Sequence, residues 1–232
     1  MKNILFLDIE TVSLTEDFND LPERLQEHWQ KKVQHMKRAE PVEDVYVERA
    51  AIFAEFGKII CIGVGGETSG ALKVSCLYHE DERTLLLQFK ELIERHPAGK
   101  RLILCAHNGK EFDFPYLCRR MIIHGISLPD VLQMSGKKPW EIPHLDTLEM
   151  WKFGDYKHFT SLDLLAAVLG IEGSKGSLDG SKVNAAYYLE DRITDIIHYC
   201  MEDVVVLAQV FRRLRGQTLY TEIIRNPSPE KN

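Results

Sequence analysis

This sequence predicts an α/β domain with a mixed sheet, and three observations lead there. Apolar runs of strand length recur, at Ile4–Ile9, Lys58–Gly65, Ala71–His79 and Arg101–Ala106. Gly65, Gly66 and Gly70, between the second and third runs, suit a hairpin connection. From Glu80 onward, stretches with helical spacing alternate with strand-like ones, the order that lays helices on the faces of a sheet.

The elements follow in order. Ile4–Ile9 reads as a first buried strand. Leu21, Leu25, Trp29, Val33 and Met36 then recur at helical spacing, and Pro22 suits a first turn. They predict one amphipathic helix over about Leu21–Arg38, inside an insertion at about residues 13–57. After the hairpin, Leu85, Leu86, Phe89, Leu92 and Ile93 predict a helix within Glu80–His96. The Arg101–Ala106 strand breaks at Asn108-Gly109, and a helix follows over about Phe114–His124. Leu145–Leu148 is expected as a short fifth strand leading into helices near Glu149–Lys152 and Ser161–Leu169. Gly170–Ser181, rich in glycine and serine, reads as a mobile loop. A long helix over about Asp191–Leu214 closes the domain, and residues 221–232 are expected as a disordered tail.

Composition narrows the function classes. A chain of 232 residues, 44% hydrophobic and 28% charged, suits one large globular domain or one domain with an insertion. The formal net charge of −6 does not suggest a tight, non-specific nucleic-acid binder, since such proteins are usually basic. An enzyme that releases its substrate each cycle does not need a basic balance. The five cysteines, Cys61, Cys76, Cys105, Cys118 and Cys200, form no Cys-x-x-Cys pair and sit mostly in apolar runs. They read as reduced core residues rather than zinc ligands or disulfide partners. The N-terminal apolar run is too short for a signal peptide, and no stretch is long enough to span a membrane, so a cytoplasmic protein is expected.

Three motifs carry chemistry. Asp8 and Glu10 are two apart on the first strand, so they project from one face near its C-terminal end. Two such carboxylates repel unless a cation lies between them, and hard oxygen ligands suit Mg²⁺ or Mn²⁺; two solvated acids at a strand end would look the same. The second motif is His107-Asn-Gly-Lys-Glu-Phe-Asp-Phe-Pro-Tyr-Leu117, which follows a strand and opens a helix. Pro115 suits the first turn and puts Asp113 at the helix start, as a further ligand or as a plain N-cap. Phe112 or Phe114 is placed to stack on a base or to join the core, and His107 and Asn108 are candidate substrate contacts. In the third motif, Tyr199 and Asp203 are four apart on the last helix and share a face. Asp203 borders the apolar stripe of Val204, Leu207 and Phe211, where a carboxylate needs a metal, a cationic partner such as Arg212 or Arg213, or solvent. With an ordinary phenol pKa, Tyr199 orients a water better than it deprotonates one.

As an ordered set, Asp-x-Glu on strand one, Asn-Gly-x-x-Phe-Asp before a central helix and Tyr-x-x-x-Asp on the last helix resemble the exonuclease motifs of the DEDD superfamily, in its DEDDy branch. Phe6-Leu-Asp-Ile-Glu-Thr11 and Asn108-Gly-Lys-Glu-Phe-Asp-Phe-Pro-Tyr-Leu117 look most like the proofreading domain of family-B DNA polymerases, and like stand-alone bacterial proteins predicted as polymerase-B-like 3′→5′ exonucleases. The resemblance runs from about Ile4 to Arg215, interrupted by the insertion. It implies a ribonuclease H-like fold, a five-stranded mixed sheet flanked by helices, as one exonuclease domain over about 1–220. It implies two divalent ions, Mg²⁺ or Mn²⁺, held by Asp8, Glu10, Asp113 and Asp203, and removal of 5′-mononucleotides from the 3′ end of single-stranded DNA or RNA, DNA favoured. Thr11, Asn108 and Phe112 match positions that line the scissile nucleotide. A non-catalytic nucleic-acid-binding or scaffold domain on the same fold is the alternative, although degenerate members should have lost carboxylates that this chain keeps. A second acid motif, Asp146-Thr-Leu-Glu149, is read as a helix cap rather than a further ligand, and Lys175 and Lys182 as parts of a solvated loop.

Overall fold

In a computed structural model, which describes residues 3–155, 157, 159–173 and 178–226, the chain forms a six-stranded mixed sheet flanked by helices. The strands are β1 (Ile4–Ser13), β2 (Gly57–Thr68), β3 (Ala71–Tyr78), β4 (Ile103–Ala106), β5 (Leu145–Asp146) and β6 (Ile223–Asn226). Their order is β5-β4-β1-β2-β3-β6. β1, β2 and β3 are antiparallel neighbours, while β4 runs parallel to β1, β5 to β4 and β6 to β3. The first five strands give the mixed sheet expected of a ribonuclease H-like fold. The expectation of five strands is corrected to six, because Ile223–Asn226 adds to the exposed edge of β3, inside the span expected as a tail. Residues 227–232, Lys175 and part of the expected Gly170–Ser181 loop lie outside the described residues.

The hairpin arises from its turn. Ser69 and Gly70 both take positive φ (54° and 90°), the pairing that matches strand twist in a two-residue loop. That turn fixes the β2–β3 register, with Cys76 opposite Gly63.

Among the described residues the α-helices are α1 (Glu23–Met36), α2 (Val42–Arg49), α3 (Glu82–Glu94), α4 (Asp113–Ile123), α5 (Thr147–Lys152), α6 (Leu162–Val168), α7 (Val183–Tyr188) and α8 (Ile193–Leu214). Alternation along β1 sorts its side chains. Leu5, Leu7 and Ile9 enter the core shared with α3 and α4, whereas Phe6 packs with Val204, Leu207 and Phe211 of α8.

The insertion holds two helices rather than the single one expected. Pro41 starts α2, which folds back so that Val45 and Tyr46 close a small core around the fully buried Trp29. Helix α7 is another element that periodicity missed, being only six residues long. It fastens the end of β1: Asn184 Oδ1 accepts from the Ser13 amide (2.9 Å) and hydroxyl (3.0 Å), and the Tyr188 hydroxyl donates to the Ser13 carbonyl (2.7 Å).

Candidate active site

Asp8 and Glu10 sit on the face of β1 that α8 covers, but not at the strand's end as expected. β1 continues to Ser13, paired with β2 throughout. What ends near them is the other neighbour, since pairing with β4 runs only from Ile4 to Phe6. Beyond that point β1 has one open flank, and the second motif fills it. Asp113, the first residue of α4, accepts the Ile9 amide on Oδ1 at 3.2 Å. The plain N-cap reading of Asp113 is therefore replaced: the N-cap is Phe112, with no side-chain cap, and the carboxylate reaches across to β1.

The local fold behind Asp113 depends on three residues. Asn108 takes a left-handed φ of 61°, and a Cβ at Gly109 would stand 2.3 Å from the Ala106 Cβ, so the Asn-Gly pair is a steric requirement of the turn. Asp146 is the third. It caps α5 by accepting from Leu148 and Glu149, as expected, and it also accepts the amides of Asn108 (2.9 Å) and Lys110 (3.1 Å). One buried carboxylate thus holds the start of α5 and the loop that delivers Asp113.

His107 is engaged at both ring nitrogens, by the Thr147 hydroxyl (2.9 Å) and the Thr160 carbonyl (2.8 Å), which leaves only its ring faces for a substrate. Phe112 packs on Tyr116 with ring centroids 5.3 Å apart and borders the core, while Phe114 is fully buried. Thr11 follows an irregularity between Glu10 and Thr11 in the β1–β2 register.

The electrostatics of the group are those of crowded acids. Burial first, then the neighbouring Cys200, Glu10, Asp203 and Asp113, push Asp8 well above the ordinary carboxylate range. Glu10 is raised by burial, Cys200, Asp203 and Asp113 in the same way. Asp113 rises to about 7, chiefly by burial. Among the described residues, no ion pair to Lys, Arg or His involves Asp8, Glu10 or Asp113. Tyr199 reaches Asp203 across one helical turn by a side-chain hydrogen bond, and burial and the Asp203 charge raise its phenol further still. Arg212, one of the partners weighed for Asp203, instead pairs with Glu67 at 3.4 Å.

Oxygen ligands that carry excess negative charge in a partly buried site match hard cations, and a cation removes the repulsion that raises their pKa values. Asp8 and Glu10, whose ligand atoms lie within 4.8 Å of each other, could hold such an ion, with Asp113 and Asp203 as the further carboxylates expected beside it.

Comparison with known proteins bears on part of these elements, for the family profile from β2 onward. The profile of a family described as predicted 3′-5′ exonucleases related to the exonuclease domain of PolB matches residues 52–222. Among solved structures, the chain is similar to the family B DNA polymerase of the hyperthermophilic archaeon Pyrobaculum calidifontis, with a TM-score of 0.53 and 15% identity. That match covers 88% of this chain and 23% of the polymerase, and it establishes likeness of fold. No curated protein matches the chain.

Proposed function

The chain belongs to the family of predicted 3′-5′ exonucleases related to the exonuclease domain of PolB, and from that premise we propose that it hydrolyses the terminal phosphodiester at the 3′ end of a single strand, releasing 5′-mononucleotides. The substrate is DNA in preference to RNA, in line with the DNA polymerase whose fold it shares. The observation that carries this reading is the acid cluster itself: Asp8, Glu10 and Asp113 lie on adjoining elements, with pKa values driven up by burial and by other acids.

Two divalent ions, Mg²⁺ or Mn²⁺, would when bound supply Lewis acidity to the attacking water and to the departing 3′ oxygen. Asp8, Glu10, Asp113 and Asp203 would hold them. Tyr199 keeps its proton because its pKa is raised, so it serves by orienting the water, not by deprotonating it. Asp146 keeps the Asn108–Lys110 turn in place and, through it, Asp113. Thr11, Asn108 and Phe112 line the terminal nucleotide, and His107 supports that wall through Thr147 and Thr160. The whole exonuclease unit spans about residues 1–226, including the insertion and β6, and its free thiols suit a reducing cytoplasmic compartment.

The test uses 3′-labelled and 5′-labelled DNA and RNA oligonucleotides with Mg²⁺ or Mn²⁺. A ladder from the 5′-labelled strand, with mononucleotide released from the 3′-labelled one, is expected for DNA first. Asp8→Ala and Asp203→Ala should abolish digestion while the protein stays folded; undiminished turnover in either variant rejects the assignment. Cleavage of a circular single strand would instead mark an endonuclease.

A further inference from the structure

Directly behind the carboxylates, three thiols converge from three elements. Cys61 lies on β2, Cys76 on β3 and Cys200 on α8, each at most 1% exposed. The hairpin register sets Cys76 opposite Gly63, two residues from Cys61 on the same face. Gly63 provides the third place. A Cβ there would stand 2.8 Å from the Cys200 Sγ, so the absent side chain leaves the gap into which α8 lowers its thiol. The three Sγ atoms all lie within 4.8 Å of one another.

Cys200 also belongs to a second triad. Its Sγ is 3.5 Å from Asp8 Oδ2, and ligand atoms of Asp8, Glu10 and Cys200 again lie within 4.8 Å of one another. The thiol cluster therefore shares a corner with the acid cluster. Surrounding residues are apolar, including Val12, Ile60, Ile196 and Met201, so the thiols have few polar partners besides each other and Asp8. A tetrahedral zinc–thiolate centre with bonds of about 2.3 Å sets its sulfurs about 3.8 Å apart. Sulfurs already inside 4.8 Å reach that spacing by small side-chain movements. Thiolates select Zn²⁺, Cd²⁺ or Cu⁺ over Mg²⁺ and Mn²⁺.

We propose that Cys61, Cys76 and Cys200 form a site for a thiophilic metal such as Zn²⁺, with the Asp8 carboxylate as fourth ligand, and that its occupancy inhibits hydrolysis by withdrawing Asp8 from the catalytic cluster. Loading releases the thiol protons to solvent and leaves no net redox change. The inhibition rests on the exonuclease reading; the binding does not.

The experiment begins with reduced, metal-free wild-type protein and one equivalent of Zn²⁺. X-ray absorption at the zinc edge is expected to show three sulfur neighbours at about 2.3 Å and a lighter fourth ligand; a shell of oxygen and nitrogen alone overturns the site without recourse to any variant. Cd²⁺ should give thiolate charge-transfer absorption that weakens in Cys61→Ser and Cys76→Ser. In the nuclease assay with excess Mg²⁺, one equivalent of Zn²⁺ should slow the wild type roughly 10- to 100-fold and spare those variants. A sulfur-bound zinc with unchanged turnover overturns the inhibitory half. A sulfur-bound zinc in a protein with no nuclease activity under any metal upholds the site and sinks the exonuclease reading instead.

Discussion

At the scale of single residues, Asp113 and Tyr199 set the chemistry apart from ordinary surface acids and phenols. Asp113 is raised from 3.8 to about 7, mainly because burial penalises its anion. A carboxyl held above its unfolded pKa binds its proton more tightly in the folded protein, so protonation stabilises the fold. Metal-free protein should therefore gain stability as pH falls from about 7 towards about 4, and lose it as pH rises through about 7. The share of Asp113 in that span is at most about 4 kcal/mol, and Asp8 and Glu10, raised in the same direction, add to it. Thermal unfolding in EDTA across that range checks the slope, and Asp113→Asn should reduce it while raising stability at neutral pH. Saturating Mn²⁺ should reverse the trend, because metal binds the anion. A metal-free protein that weakens steadily on acidification through this window would refute the assignment. For Tyr199, whose hydroxyl bonds Asp203, Tyr199→Phe should cut turnover at least tenfold, about 1.4 kcal/mol of barrier, while Mn²⁺ binding measured calorimetrically shifts little. Equal losses in both would make the tyrosine a ligand support instead.

Among the elements, the site depends on where two segments end. β4 stops early, β1 runs on with one open flank, and the turn at Asn108-Gly109 swings α4 so that its first residue fills that flank. Strands, the long helix and the Asp8–Glu10 and Tyr199–Asp203 spacings were legible because periodicity of two or 3.6 reports which side chains share a face. The position of Asp113 was legible only as a helix start; its reach to Ile9 depends on where a neighbouring strand stops. Short elements escaped for a related reason. α7 and β6 are too brief for a periodic signal, and their contacts, Asn184 with Ser13 and Ile223 with Leu72, are long-range. The thiol cluster leaves no spacing signal along the chain, because the Ser69-Gly70 turn and a helix residue bring Cys61, Cys76 and Cys200 together only in space. Asp146→Ala strips acceptors from four amides in two elements. The expected cost is about 1–3 kcal/mol of stability, with a fall in turnover larger than any change in Mg²⁺ affinity, since no metal contact is removed. Loss of affinity matching the loss of turnover would show that Asp146 is itself a ligand.

At the scale of the whole molecule, the insertion, the sheet and the helix that carries Asp113 are tied by one buried network. Glu82 of α3 accepts from the Ile59 amide of β2 (2.8 Å), from Arg120 Nε of α4 (2.8 Å) and from Arg120 Nη2, and it also meets His124 Nε2 at 2.7 Å. Arg120 Nη1 donates to the Ala54 carbonyl (2.8 Å), and the Tyr116 hydroxyl to the Ala51 carbonyl (2.9 Å), so α4 grips the end of the insertion. Glu82 and Arg120 are 8% and 3% exposed, and a pair so buried repays its desolvation only while both members are present. Arg120→Ala should therefore cost about 3–5 kcal/mol in urea unfolding, whereas Glu82→Gln with Arg120→Met should cost less, because no orphaned charge remains. The same comparison reaches the active site. Arg120 lies two turns along α4 from Asp113, so the single variant should lose turnover beyond what its unfolded fraction explains, and the double variant should recover part of it. A single variant within about 1 kcal/mol of wild type would mean that solvent reaches Glu82, and that the insertion is held to the sheet by its apolar contacts around Trp29 and Phe56 and by the Tyr116–Ala51 bond.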